Sequence, residues 1–94
     1  MSDIVNEAVT QLSRKIGTFD GSVKFVIEDE GCVMVDQAGV REGDEEADCT
    51  MTADAETFEG ILSGDINPTA AFMSGKLKVD GDMGTAMKLG GALS

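Results

Sequence analysis

The residues of this chain that could do chemistry are few, and their spacing does not suit the reactions they might otherwise serve. Asp44, Glu45, Glu46 and Asp48 form the densest set of oxygen donors. They lack the D-x-D-x-D-G spacing and the distal bidentate glutamate with which an EF-hand loop wraps calcium, so they read as a solvated acidic loop and no metal site is expected. Gly75-Lys76 is followed by Leu77, without the spaced upstream glycine of a phosphate-binding loop, and no G-x-G-x-x-G occurs. Histidine is absent, which removes the commonest general base and the commonest metal ligand. No nucleophile is paired with a base. The chain reads as a non-enzyme without a cofactor.

Cys32 and Cys49 stand apart on strand-like segments rather than in a C-x-x-C pair. They are expected as reduced, mostly buried thiols, bridged only if neighbouring strands oppose them. Seven Lys and Arg stand against eighteen Asp and Glu, a formal charge of -11. A surface this negative repels phosphate backbones, so nucleic acid is excluded as a partner. No apolar run approaches the ~18 residues of a spanning helix, and the N-terminus lacks the basic start and apolar centre of a signal peptide. A cytoplasmic protein is expected. Its 94 residues suit one domain over 1–94 with one core.

With polar chemistry excluded, the apolar residues carry the interest. Tyr and Trp are absent, and four Phe and six Met supply the bulk. Methionine is flexible and polarisable, so a Met-rich surface can repack around different apolar shapes. Met73, Met83 and Met87 fall on elements expected to cover one side of a sheet, where a cavity between them is possible.

The elements follow from periodicity. Ile4, Val5, Ala8, Val9, Leu12 and Ile16 recur at helical spacing, with Ser2 or Asp3 to cap and Gly17 to leave. From Ser22 the period becomes two. Val23, Phe25 and Ile27 alternate with Lys24, Val26 and Glu28, then Cys32–Asp36 returns as the second arm of a hairpin. Val40–Asp48 predicts a charged loop or ragged edge, and Cys49–Thr52 a further strand with Cys49 and Met51 on one face. Asp54 caps a helix with Phe58, Ile61 and Leu62 in its stripe, closed at Gly64. Asn67-Pro68 starts a short second helix that ends at Gly75. Lys76–Asp80 alternates as a strand with Leu77 and Val79 inward. Asp82 caps a last helix in which Met83, Ala86, Met87 and Leu89 share a face, and Gly84, Gly90 and Gly91 weaken it by about 1 kcal/mol each relative to alanine.

The segment Phe72–Leu89, FMSGKLKVDGDMGTAMKL, closely resembles the sterol carrier protein type 2 family, the non-specific lipid-transfer domain. ADCTMTADAETFEGILSGDINPTAAF resembles the strand and helix pair of that family, and KFVIEDEGCVMVD its opening hairpin, so the likeness covers nearly the whole chain. The resemblance implies an α+β fold: a five-stranded mixed sheet covered by helices on one face, with an apolar tunnel between them that holds acyl chains or sterols. Three features depart from the family. The chain ends at Gly90-Gly91-Ala92-Leu93-Ser94 without a peroxisomal ending, it has a glycine pair where eukaryotic relatives continue with polar residues and a tail, and it is strongly acidic.

The function expected is non-catalytic binding, with transfer or presentation of a fatty acyl, phospholipid or sterol-like ligand. Phe58, Ile61, Leu62, Phe72, Met73, Met83, Met87 and Leu93 are the expected tunnel wall. From Gly75 to Ser94 the charge is +1, three Lys against two Asp, which leaves -12 for the rest. Lys76, Lys78 and Lys88 are therefore the expected contacts for a head group, a membrane surface or a lipid enzyme met transiently. The alternative is an acidic accessory module whose groove accepts a partner's segment.

Overall fold

A computed structural model describes residues 3–93. Helix α1 (Asp3–Lys15) is followed by strands β1 (Val23–Ile27), β2 (Gly31–Asp36), β3 (Gly39–Glu42) and β4 (Cys49–Ala53), helices α2 (Ala55–Ser63) and α3 (Pro68–Met73), strand β5 (Lys78–Gly81) and helix α4 (Met83–Leu93). The strands form one five-stranded sheet in the order β3-β2-β1-β4-β5. β1 and β4 run parallel and every other neighbouring pair is antiparallel. The expected mixed sheet with helices on one face is what the chain forms.

The alternation seen in the sequence sets the two faces. Phe25 of β1 stands beside Val33 of β2 and Met51 of β4, and Val23 stands beside Val35 and Cys49. All six are buried, in one cluster with Val5, Ala8 and Leu12 of α1, Phe58 and Ile61 of α2 and Leu89 of α4. Full burial of each large apolar side chain contributes about 1.5–3 kcal/mol. Asp3 lies in the first turn of α1, whereas Ser2, the other expected cap, lies outside the described residues. Gly17 leaves α1 with φ +72°. Cys49 aligns with Val23 and Cys32 with Val26, an odd separation that places the two thiols on opposite faces of the sheet. They are free, and burial pushes both up from their ordinary pKa.

The structure redraws two boundaries. Val40–Asp48, expected as a charged loop or ragged edge, divides: Gly39–Glu42 is an edge strand paired to β2, with Arg41 beside Met34. The acidic run that follows keeps Asp44, Glu45, Glu46 and Asp48 exposed, as expected, and its start also crosses the helix-free face of the sheet. Lys24 Nζ donates to Asp44 at 2.8 Å and the Arg41 guanidinium to Asp36 and Glu45 at 3.0 and 3.3 Å. Beneath it Met34, on that face, is only 1% exposed. The last strand begins at Lys78 rather than Lys76, since the N–H groups of Lys76 and Leu77 both donate to the Ala71 carbonyl at the end of α3. Leu77 is still buried and faces inward as expected.

The junction of β5 with α4 depends on a glycine. Gly81 has φ +95°, and a Cβ there would run into the carbonyl oxygen of Asp48. Both the left-handed backbone and the close approach penalise a side chain. Gly81→Ala is expected to cost about 2 kcal/mol or more, read as a lowered urea midpoint. A loss below half that would show that the junction yields easily.

Candidate ligand-binding cavity

Between the β1-β4-β5 side of the sheet and helices α2, α3 and α4 lies a cavity of about 470 Å³. Phe25, Met51 and Val79 rise from the strands as its floor. Phe58 and Ile61 of α2, Leu77, and Ala86 and Leu93 of α4 form its inner wall. Phe72 and Met73 of α3 and Met83 and Met87 of α4 stand at its rim, 41%, 80%, 46% and 75% exposed. No lining residue is ionisable, and Thr69 brings the one polar side chain. Such a site offers no charge to hold or activate a polar substrate, and its size lies in the range of about 300–1,000 Å³ typical of small-molecule pockets.

Local chemistry positions each wall. The Asp54 carboxylate accepts the Thr57 N–H at 2.7 Å and starts α2, and Gly64 ends it with φ +88°. The bonds from Thr57 hold the Asp54 carboxyl below the usual carboxylate range. Asn67 Oδ1 accepts the N–H groups of Thr69 and Ala70 at 2.8 and 3.2 Å, with Pro68 at the first helical position. In α3 only Ala71 is buried, so Phe72 and Met73 are left to the rim.

The last helix shows a different face from the one expected. Ala86, Leu89 and Leu93 are its buried residues, whereas Met83 and Met87 are exposed. Ala86, Leu89 and Leu93 are three and four residues apart and form the stripe that meets the sheet. Met83 and Met87, also four apart, lie about a quarter-turn round. Gly90 falls between the two rows, and a Cβ built there meets nothing within 4 Å. The glycines do not interrupt the helix, which runs continuously through them.

The cap of α4 is charged. Asp82 accepts the Thr85 hydroxyl at 3.0 Å and the Gly84 N–H at 2.9 Å. Those bonds, the Thr85 hydroxyl foremost, hold its carboxyl below the usual range. A carboxylate whose folded pKa lies below its unfolded one adds stability above the unfolded value, and this is lost as pH falls through the folded value. Stability is therefore expected to decline as pH drops below about 4. Asp82→Asn should flatten that part of the acid profile while an amide oxygen keeps the cap. An unchanged profile in chemical denaturation would assign the acid sensitivity elsewhere.

Of the eight expected wall residues, seven line this cavity: Phe58, Ile61, Phe72, Met73, Met83, Met87 and Leu93. Leu62 does not, because it lies on the α1-facing side of α2 in a second cleft. The helical stripe that contains Phe58, Ile61 and Leu62 spans two neighbours, and one face of α2 cannot serve a single cavity throughout. The three lysines do not converge. Lys88 is 3.7 Å from Asp20, Lys78 pairs with Thr52 on the helix-free face, and Lys76 acts on Asp54 electrostatically. None lines the cavity. The sequence reading missed the floor residues Phe25, Met51 and Val79 and the wall glycines Gly90 and Gly91. Alternation marked the floor residues as inward, but only strand order shows which inward positions lie beneath the opening.

A mixed sheet covered on one side, with an uncharged cavity at its β4-β5 end, places this protein among the α+β domains of the sterol-carrier type. The chain belongs to the SCP-2 sterol transfer family, whose model matches residues 5–94. Among solved structures, it superposes on the sterol carrier protein domain 2 of Helicoverpa armigera with a TM-score of 0.76 and 27% identity, covering 96% of this chain and 85% of that one. Sterol carrier protein-2 of Aedes aegypti, solved in complex with the C16 fatty acid palmitate, gives a TM-score of 0.79 at 19% identity, over 100% of this chain and 97% of that one. Sterol carrier protein 2 of Homo sapiens is 50% identical over 46 residues, 49% of this chain and 8% of that protein. Hydroxysteroid dehydrogenase-like protein 2 of Xenopus tropicalis is 37% identical over 97 residues, 95% of this chain and 22% of that protein. The chain thus spans less than a quarter of the length of either curated relative.

Among the described residues no three His, Cys, Asp or Glu side chains gather as metal ligands, and no helix is long and apolar enough to cross a membrane.

Proposed function

We propose that residues 1–94 act as one non-catalytic lipid carrier, taking the acyl chain or ring system of a fatty acid, phospholipid or sterol-like molecule into the cavity between sheet and α2–α4. The observation that supports this most is the lining: sixteen residues without an ionisable group, opening through a rim of exposed Phe and Met. Each methylene moved from water to an apolar site gains about 0.8 kcal/mol, so a sixteen-carbon chain gains on the order of 10 kcal/mol. A bilayer offers nearly the same, and loading and release stay balanced. Membership of the family and the palmitate held by the Aedes aegypti protein support the same reading.

In this reading the seven wall residues contact the lipid tail, and α4 is the element that yields as it enters. Head-group or membrane contact falls to Lys76 and Lys88, which adjoin Leu77 and Met87 of the cavity, rather than to Lys78 on the far face. A cytoplasmic carrier serving membranes or lipid enzymes transiently is consistent with two unbridged thiols.

The test is a titration with palmitate, followed by thermal unfolding. At a free ligand concentration of one hundred times Kd, binding stabilises the folded state by about 2.7 kcal/mol. In a domain of this size that is a rise in Tm of about 10–20 °C. No shift with palmitate, a phospholipid or a sterol, together with lipid-free protein in native mass spectrometry, would overturn the proposal.

A further inference from the structure

The second cleft lies on the other side of α2, between it and α1, and holds about 460 Å³. Its floor is apolar: Ile4 and Ala8 from α1, Phe58 and Leu62 from α2, and Ile66. Its banks are acidic. Glu7 stands on α1, Glu56 and Glu59 on α2, and Asp65 just beyond it, with no Lys or Arg among the lining residues. Among the described residues none of these four carboxylates forms an ion pair, and only Asp65 accepts a side-chain hydrogen bond, from Ser63 at 3.3 Å.

We propose that this cleft docks a basic amphipathic segment of a partner protein, whose apolar side chains sit against the half-buried Ile4 and Ile66 while Lys or Arg side chains meet Glu7, Glu56, Glu59 and Asp65. Charge complementarity selects the occupant. Glu56, Glu59 and Asp65 are spread along the α2 bank over about two helical turns with Glu7 on the α1 bank, so they match several cations spaced along a chain better than one small cation. A second copy of this protein is disfavoured, since each carries a charge of -11 and like charges repel at close range. An apolar face set in a groove with charges on its rim is the pattern of helix-in-groove recognition. The proposal does not rest on the lipid reading, because none of its carboxylates borders the apolar cavity.

The test uses the full chain and a fluorescently labelled helical peptide of Leu and Lys, with Leu at i, i+3, i+4 and i+7, followed by fluorescence anisotropy at physiological salt. Saturable one-to-one binding is expected. Glu7→Gln with Glu59→Gln should weaken it about tenfold, from two ion pairs and their shared field. Glu46→Gln with Asp80→Asn changes net charge equally on the helix-free side and should move it less than twofold. Equal losses from both pairs would reduce the effect to bulk charge and overturn the proposal. So would equal binding of a peptide with Ser in place of Leu, amide shifts at α3 and α4 instead of α1 and α2 in NMR, or light scattering that shows self-association lost with the Glu7 and Glu59 changes. None of these readouts involves lipid, so the cavity and the cleft can fail separately.

Discussion

Gly90→Phe is expected to weaken fatty-acid binding about 100-fold while raising Tm by several degrees. Gly90 sits on the cavity side of α4 between the buried row Ala86, Leu89 and Leu93 and the rim residues Met83 and Met87. There is open space where its Cβ would be. A phenyl ring directed there takes the room of about four methylenes, and four methylenes at about 0.8 kcal/mol each come to about 3 kcal/mol, or two orders of magnitude in affinity. Replacing a helical glycine also adds a few tenths of a kcal/mol to α4, and the ring buries apolar surface of its own. Each kcal/mol gained moves Tm by about 4–8 °C. Ala92→Phe, at an exposed position outside the lining, is the matched control and should leave binding unchanged. Fluorescent fatty-acid titration of both variants decides. Undiminished binding by Gly90→Phe would place the ligand somewhere other than this cavity.

Phe58→Ala should have the largest effect on stability, about 3–5 kcal/mol. Phe58 is 2% exposed and its ring packs against Phe25 with centroids 5.1 Å apart and planes tilted by 52°. Such a pair adds about 0.5–1.5 kcal/mol beyond the area it buries. Phe58 also borders both the apolar cavity and the acidic cleft, so its removal takes away a shared wall and leaves its neighbours little to collapse onto. Total stability for small domains is about 5–15 kcal/mol, so the variant should unfold at a much lower urea concentration. With a slope near 1 kcal/mol/M the midpoint drops by about 3–5 M. Phe58→Met keeps most of the volume and should cost about 1.5 kcal/mol or less. A loss under 1 kcal/mol for the alanine variant would contradict the packing around α2.

The two substitutions separate two properties that one helix layer supplies. Gly90 marks apolar space that the fold leaves unfilled, and filling it should stabilise the protein at the expense of ligand. Phe58 marks a wall that the fold cannot lose. Stability and capacity for a guest thus compete at α4 and coincide at α2, as expected where a small domain gives up core volume to a site.

Much of this was legible in the chain. Alternation at Val23, Phe25 and Ile27 and at Cys49 and Met51 set the inward face of the strands, because side chains on a pleated strand point alternately to either side. Asp54, Asn67-Pro68 and Asp82 marked three helix starts, because a short acceptor side chain there satisfies amides that have no partner in the first turn. The order FMSGKLKVDGDMGTAMKL carried the family. These are local signals, readable within a few residues of the feature they determine.

What stayed hidden depended on neighbours remote in sequence. That Gly39–Glu42 pairs as an edge strand, and that the acidic run behind it closes over Met34 through Lys24 and Arg41, follows from residues brought together across the sheet. The same holds for Leu62, which shares a helical stripe with Phe58 and Ile61 but borders α1 instead of α3 and α4. By itself the sequence determined which strand residues of β1 and β4 turn inward and where helices α2, α3 and α4 start. Only the tertiary structure decided which inward residues meet empty space, because a void is the shape left by packing between elements far apart in the chain and no local periodicity records it.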